Sequence, residues 1–303
     1  MTQVKRPLWL IDAFTQTPFK GNPAGVCLVD SFPDDSTMQK IAFELHWSET
    51  SFIHRVGDSP NRFRIRWFSP LDEAPICGHA TLAAMHFLCE SSVVRGGSAV
   101  FESRVGELYL RRKKGKISMD FPASQLTLCT DSALHRRLAQ VLGTKNILAV
   151  HRDALVYVVI LETEFDVWSC VPDLEEMKKL DCRAVTITAN ASDYSLLRPD
   201  KFPNDAPYSA EAIVSSGWSG CDRNYDFVSR YFAPKVGIPE DPVCGSSHCR
   251  LAPLWARISH NKRMRARQLS KRGGYVDIWY DESRNIVEIS GEAVTVLKGE
   301  IYV

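Results

Sequence analysis

The feature that most constrains this chain is a repeat inside it. Phe63-Arg64-Ile65-Arg66-Trp67-Phe68-Ser69-Pro70 returns as Phe227-Val228-Ser229-Arg230-Tyr231-Phe232-Ala233-Pro234. Each run leads into Pro-aliphatic-Cys-Gly, first Pro75-Ile76-Cys77-Gly78 and then Pro242-Val243-Cys244-Gly245. Upstream, Pro33-Asp34 with Met38 and Lys40 is echoed by Pro172-Asp173 with Met177 and Lys179. Features matched in the same order mean two units built alike. Around the first set, Leu8 to Phe14, Ala24 to Val29, Thr50 to His54 and Phe63 to Phe68 read as strands. Met38, Ile41, Ala42 and Leu45 share one face of a helix, and Cys77-Gly78 starts an apolar helix through Leu88. Leu108 to Arg112 and Lys116 to Phe121 read as a hairpin. The expectation is two homologous α+β halves facing each other. The first spans 1–121 plus a returning strand at 292–303, and the second spans 122–291. Ile187 is aligned with Ile53. A Ser-, Asn-, Asp- and Pro-rich stretch near 189–222 is an inserted loop of the second half.

A chain of 303 residues is long enough for two hydrophobic cores. Its formal net charge of +1 gives no global attraction for nucleic acid or anionic lipid. The longest clean apolar run, Ala154 to Leu161, falls well short of the roughly 20 residues of a membrane span. Nine cysteines form no regular framework, and Asp12 interrupts the apolar stretch near the N-terminus. Free thiols in the cytoplasm are expected. The basic runs Arg111 to Lys116 and Lys262 to Arg272 read mainly as solvated faces. No G-x-G-x-x-G follows a strand and no Walker A motif is present, so no nucleotide cofactor is expected. Cys244, His248 and Cys249 are close in sequence, yet without a C-x-x-C pair no metal site is expected.

Chemistry concentrates at the two Cys-Gly steps. Each opens a helix, where unpaired N–H groups and a positive dipole end can lower a thiol's pKa or hold a carboxylate. Gly78 and Gly245 let a ligand approach the backbone. His79 and His248 stand close enough to donate to it. Small buried cysteines would give the same pattern, since burial is the usual fate of a free thiol. Glu49, in Trp47-Ser48-Glu49-Thr50-Ser51-Phe52, is a carboxylate among aromatic and hydroxyl neighbours that could raise its pKa.

Several motifs together resemble a known family. They are Asp12-Ala13-Phe14, Phe19-Lys20-Gly21-Asn22-Pro23-Ala24, Ser48-Glu49-Thr50, Cys77-Gly78-His79-Ala80-Thr81 and Glu240 to His248, with Gly299 to Val303 at the end. In order and content they resemble the phenazine biosynthesis PhzF-like family. The resemblance implies the diaminopimelate epimerase fold: two pseudo-symmetric α+β domains, each a curved β-sheet wrapped around a central helix. It implies a cofactor-independent isomerase that moves a proton on a small carboxylic acid, and a homodimer. Glu49 would be the proton shuttle, with His79, Asp241 and Ser246 binding substrate. The family motif usually carries Thr where this chain has Cys244. Epimerase relatives use one cysteine at each helix start, and Cys77 and Cys244 supply both. A two-cysteine racemase or epimerase therefore stands as the alternative catalytic reading. A non-catalytic small-molecule binding protein is the third.

Overall fold

The computed structural model describes residues 5–57, 59–191 and 224–302. From residue 192 on, the expected inserted loop near 189–222 lies outside the described residues.

In the first half of the chain, β1 (Lys5–Ala13) runs antiparallel to β2 (Asn22–Leu28). Helix α1 (Asp35–Leu45) crosses over to β3 (Glu49–Arg55), which lies parallel to β2. β4 (Arg62–Phe68) returns antiparallel to β3 and carries the short β5 (Glu73–Ala74). Helix α2 (Gly78–Glu90) leads to β6 (Ser98–Ser103), parallel to β4. A meander of β7 (Gly106–Lys113) and β8 (Lys116–Pro122) follows.

After β9 (Thr127–Cys129) and α3 (Ser132–Leu142) the same order returns. β10 (Ile147–Arg152) pairs antiparallel with β11 (Val156–Leu161). The chain crosses through α4 (Glu164–Ser169) and α5 (Leu174–Lys178) to β12 (Ala184–Asn190), parallel to β11. β13 (Phe227–Ala233) turns back on β12 and carries β14 (Ile238–Asp241). Helix α6 (Gly245–Ser259) leads to β15 (Arg263–Gln268), parallel to β13. The meander β16 (Gly274–Asp281) and β17 (Ile286–Gly291) completes the set. β8 and β17 pair antiparallel and join the two sets into one sheet. Its ends are finished crosswise: β18 (Ala293–Tyr302) pairs with β1, and β9 pairs with β10.

The repeated residues have a repeated physical job. Arg66 makes a bidentate pair with Glu73 at 2.8 and 2.6 Å, and Arg230 does so with Glu240 at 2.7 and 3.1 Å. Each guanidinium also lies over the Phe two positions on, 5.1 Å from the Phe68 centroid and 4.9 Å from that of Phe232. This fork ties each long strand to the short one leading into its Cys-Gly step. The upstream echo is a matched N-cap: Asp34 accepts from the Thr37 N–H at 3.0 Å and Asp173 from the Glu176 N–H at 2.9 Å. Met38 and Met177 are buried behind those caps.

The register corrects the alignment of Ile53 with Ile187. Arg66 faces Phe52, and Arg230 faces Ile187. Ile187 therefore matches Phe52. A one-residue slip matters, because it would turn every side chain of the strand to the other face.

Helix α2 is buried along its whole length from Gly78 to Leu88, as an all-round apolar helix must be. It packs on β1, β2, β3, β8 and β18, while α6 packs on β15, β16 and β17. One hydrophobic cluster takes in both helices. Smaller clusters lie under α3 to α5 and under α1. Among the described residues no helix is long and apolar enough to cross a membrane.

Candidate active site

Cys77 and Cys244 are the N-cap residues of α2 and α6. The two helix starts meet. A Cβ added to Gly78 would stand 3.4 Å from the Gly245 Cα, and one on Gly245 would stand 3.4 Å from the Gly78 Cα. Glycine at both positions allows this approach. Two positive dipole ends and their unpaired N–H groups converge there, an arrangement suited to an anion.

A cavity of about 380 Å³ opens at this junction. Glu49, His79, Asp241 and Ser246 line it, with both glycines and both N-cap cysteines. Residues far apart in sequence are brought together because β3 places Glu49 at its first position, beside β2, while α2 brings His79 in its first turn. Glu49 is 8% exposed and His79 4%. His79 Nε2 lies 3.0 Å from Glu49 Oε2.

Asn22 is the hub that sequence reasoning missed. Its amide nitrogen donates to Asp241 Oδ1 at 2.6 Å and to the Val243 carbonyl at 3.0 Å, and meets His79 Nδ1 at 3.1 Å. Asp241 and Val243 offer only acceptors, which fixes the amide orientation. The amide has two hydrogens for these three contacts, so His79 Nδ1 can only share one of them, and Nε2 is the ring nitrogen that faces Glu49 Oε2. Ser48 Oγ donates to Asn22 Oδ1 at 3.1 Å. Gly21-Asn22-Pro23 reads as a chain break in sequence, and only the burial of its asparagine signals more. Gln268 is a second such residue. It accepts from the Cys244 N–H at 2.9 Å and donates to the Asp241 carbonyl at 2.5 Å.

The electrostatics couple these groups in pairs. Burial pushes the Asp241 carboxyl up to about 6, against the nearby His79, with Glu49 adding to the rise. Burial would lower His79, but Cys77 and Glu49 outweigh it and hold the imidazole well above its ordinary range. The thiols depart from expectation. Burial pushes both Cys77 and Cys244 up, helped by Glu49 beside the first and Asp241 beside the second. A helix start alone favours thiolate, yet here each thiol is buried next to a carboxylate.

His248 is not in the cavity lining. Its Nδ1 bonds to the Cys244 carbonyl at 2.7 Å, its Nε2 has no partner among the described residues, and burial lowers it to about 4. Nor do Cys244, His248 and Cys249 gather as metal donors. Among the described residues, the group with ligand atoms within 4.8 Å of one another is Glu49, Cys77 and His79.

The repeat hides an asymmetry. Glu49 faces Ala24 on β2, and the matching pair is Ala184 with Val156. Counting back from each Cys-Gly step, Asp241 matches Ala74. Each half thus supplies one carboxylate where the other has alanine, and His79 matches Ser246.

Comparison with known proteins agrees with this architecture. The family model for phenazine biosynthesis-like protein matches residues 11–299. A protein of Pseudomonas aeruginosa described as an uncharacterized isomerase is 37% identical over 296 residues, covering 96% of each chain. The crystal structure of a PhzF-family protein from Enterococcus faecalis superposes with a TM-score of 0.82 at 32% identity, covering 99% of this chain and 100% of that one. A hydroxyproline epimerase from Agrobacterium vitis shares the fold, with a TM-score of 0.58 at 11% identity, over 99% and 93% of the two chains. The fold is the diaminopimelate epimerase type that the sequence led us to expect. By family model, sequence and structure alike, the chain belongs to the phenazine biosynthesis-like family and is an isomerase.

Proposed function

We propose that this isomerase moves a proton on a small carboxylic acid, with Glu49 as the general acid and base and no cofactor taking part. The observation that carries the reading is the 3.0 Å contact of Glu49 with His79 beside the meeting helix starts. The free N–H groups at Gly78 and Gly245 suit the substrate carboxylate. Asp241, Ser246 and His79 orient the carbon, and Glu49 takes its proton and returns it at a second position. His79 Nε2–H holds the Glu49 carboxylate in place between the two steps.

Deuterium wash-in from solvent tests this. Glu49→Gln keeps the shape and removes the basicity, so exchange should fall by roughly 10² to 10⁴. Cys244→Thr should be nearly silent. The reverse pattern would overturn the assignment and favour the second reading, a two-thiol racemase. That reading is supported by Cys77 and Cys244 being the N-caps of facing helices. Absence of exchange with every bound acid would leave only the binding protein.

The same proposal includes a division into 1–121 with 292–303, and 122–291. Native-state hydrogen exchange would contradict it if residues 292–302 opened with the second block. A cytoplasmic homodimer belongs to it as well, and a monomer mass by light scattering would remove the dimer.

A further inference from the structure

The cavity has a second polar group besides the proton-transfer residues. Arg183, Tyr231 and Arg250 line it together with Glu49 and Asp241. The three are not equivalent. Arg250 is neutralised by Asp153, with Nε to Oδ2 at 2.6 Å, and also donates to the Ser246 carbonyl at 3.2 Å. Arg183 is exposed, and among the described residues no carboxylate lies within ion-pair reach of its guanidinium. The Tyr231 ring is buried, and its hydroxyl has no hydrogen-bond partner among the described residues. β13 sets Tyr231 opposite Asp241 on β14, and the tyrosine lines the same cavity as Arg183 and Arg250. One cavity thus holds the two carboxylates, an unpaired hydroxyl and an uncompensated cation.

The position of Arg183 follows from the pseudo-symmetry. It precedes Ala184, the counterpart of Glu49, so it matches Ser48. In the first half that step carries a hydroxyl and an acid. In the second it carries a guanidinium and a methyl group. Its backbone N–H is used for the fold, donating to the Leu155 carbonyl at 2.7 Å, which leaves the side chain free for the cavity. Ile76, Phe121 and Leu155 give the space between the polar groups an apolar wall.

We propose that the substrate is a dicarboxylic acid, whose second carboxylate is held by the Arg183 guanidinium and the Tyr231 hydroxyl. The first carboxylate takes the Gly78 and Gly245 helix starts, and only that part rests on the proton-transfer reading. A planar guanidinium can grip a carboxylate through two N–H donors, and a phenol adds a third. Because Arg183 is exposed, water screens the contact, and discrimination should be roughly tenfold.

Calorimetric titration of the full chain with matched probes tests this: glutarate against butyrate, and isophthalate against benzoate. The diacid should bind about tenfold tighter in each pair. Arg183→Ala should abolish the gap and leave monoacid affinity unchanged, while Arg183→Lys keeps part of it. The alanine variant retains the backbone bond to Leu155, and circular dichroism verifies its fold. Equal affinities in the native chain, failure of both diacids to bind, or a gap that survives Arg183→Ala would each overturn the proposal. The gap should persist in Glu49→Gln. A gap with no deuterium exchange refutes proton transfer but not the diacid site. Exchange without a gap refutes the diacid site alone.

Discussion

Replacing Asp241 with Asn should make the protein more stable above pH 6 and should change nothing below pH 4. The carboxyl is raised from an ordinary 3.8 to about 6, chiefly by burial. Below pH 4 the group is protonated in folded and unfolded chains alike, so it contributes no pH dependence. As pH rises from about 4 to about 6 the unfolded chain gives up the proton first, and stability falls. Two pKa units at about 1.4 kcal/mol each set a ceiling of about 3 kcal/mol. The side chain lines the cavity, so water there reduces the value. Asn keeps an oxygen for the Asn22 amide and removes the charge. Urea midpoints at pH 4, 5, 6 and 7 measure the difference between variant and native chain. That difference should open across pH 4 to 6 and then level off. A constant difference over the whole range would refute the reasoning, because Asp241 would then titrate alike in both states.

His248 should act in the opposite sense. Lowered from 6.5 to about 4, it resists protonation when folded, so stability is lost as pH falls from 6.5 toward 4. His248→Gln should reduce this acid sensitivity by up to about 3 kcal/mol, read as urea midpoints at pH 4.5 and 7.5. Gly78→Ala and Gly245→Ala should each cost less than about 1 kcal/mol, since a single added Cβ stands 3.4 Å from the opposite Cα, at the edge of ordinary contact. The double variant should cost clearly more than the sum, and additivity in the denaturation cycle would mean the helix starts move apart freely. Arg230→Met should destabilise by about 3–5 kcal/mol, because it strands Glu240 and the carbonyls of Val167, Trp168 and Cys170. A thermal midpoint near that of the native chain would show that the fork is dispensable.

What the sequence revealed was whatever is encoded locally. The Arg66 and Arg230 forks and the Asp34 and Asp173 caps join residues close along the chain, so each half repeats them visibly. The architecture was legible for that reason. The site was legible only in part: the two Cys-Gly steps repeat, but its carboxylates lie where the halves differ. Glu49 and Asp241 stand against alanines, and a search for repeated residues passes over such positions. Glu49 could be picked out by its neighbours, but its role as proton shuttle came only from the family motif. Asn22 was out of reach, since its three contacts at His79, Asp241 and Val243 exist only after folding. For the thiols the sequence left both readings open, because a helix start can be recognised in sequence while the depth of its burial cannot.

The crosswise strands bear on how the molecule is made. β1 is flanked by β2 and by β18, with Lys5 facing Tyr302. One side of β1 stays unpaired on the ribosome until almost the whole described chain has emerged. An exposed strand edge held that long invites pairing with another nascent chain. Contacts of such sequence separation also place folding toward the slow end of the scale. Trimming β18 should therefore harm yield and solubility during synthesis more than it harms chain already folded.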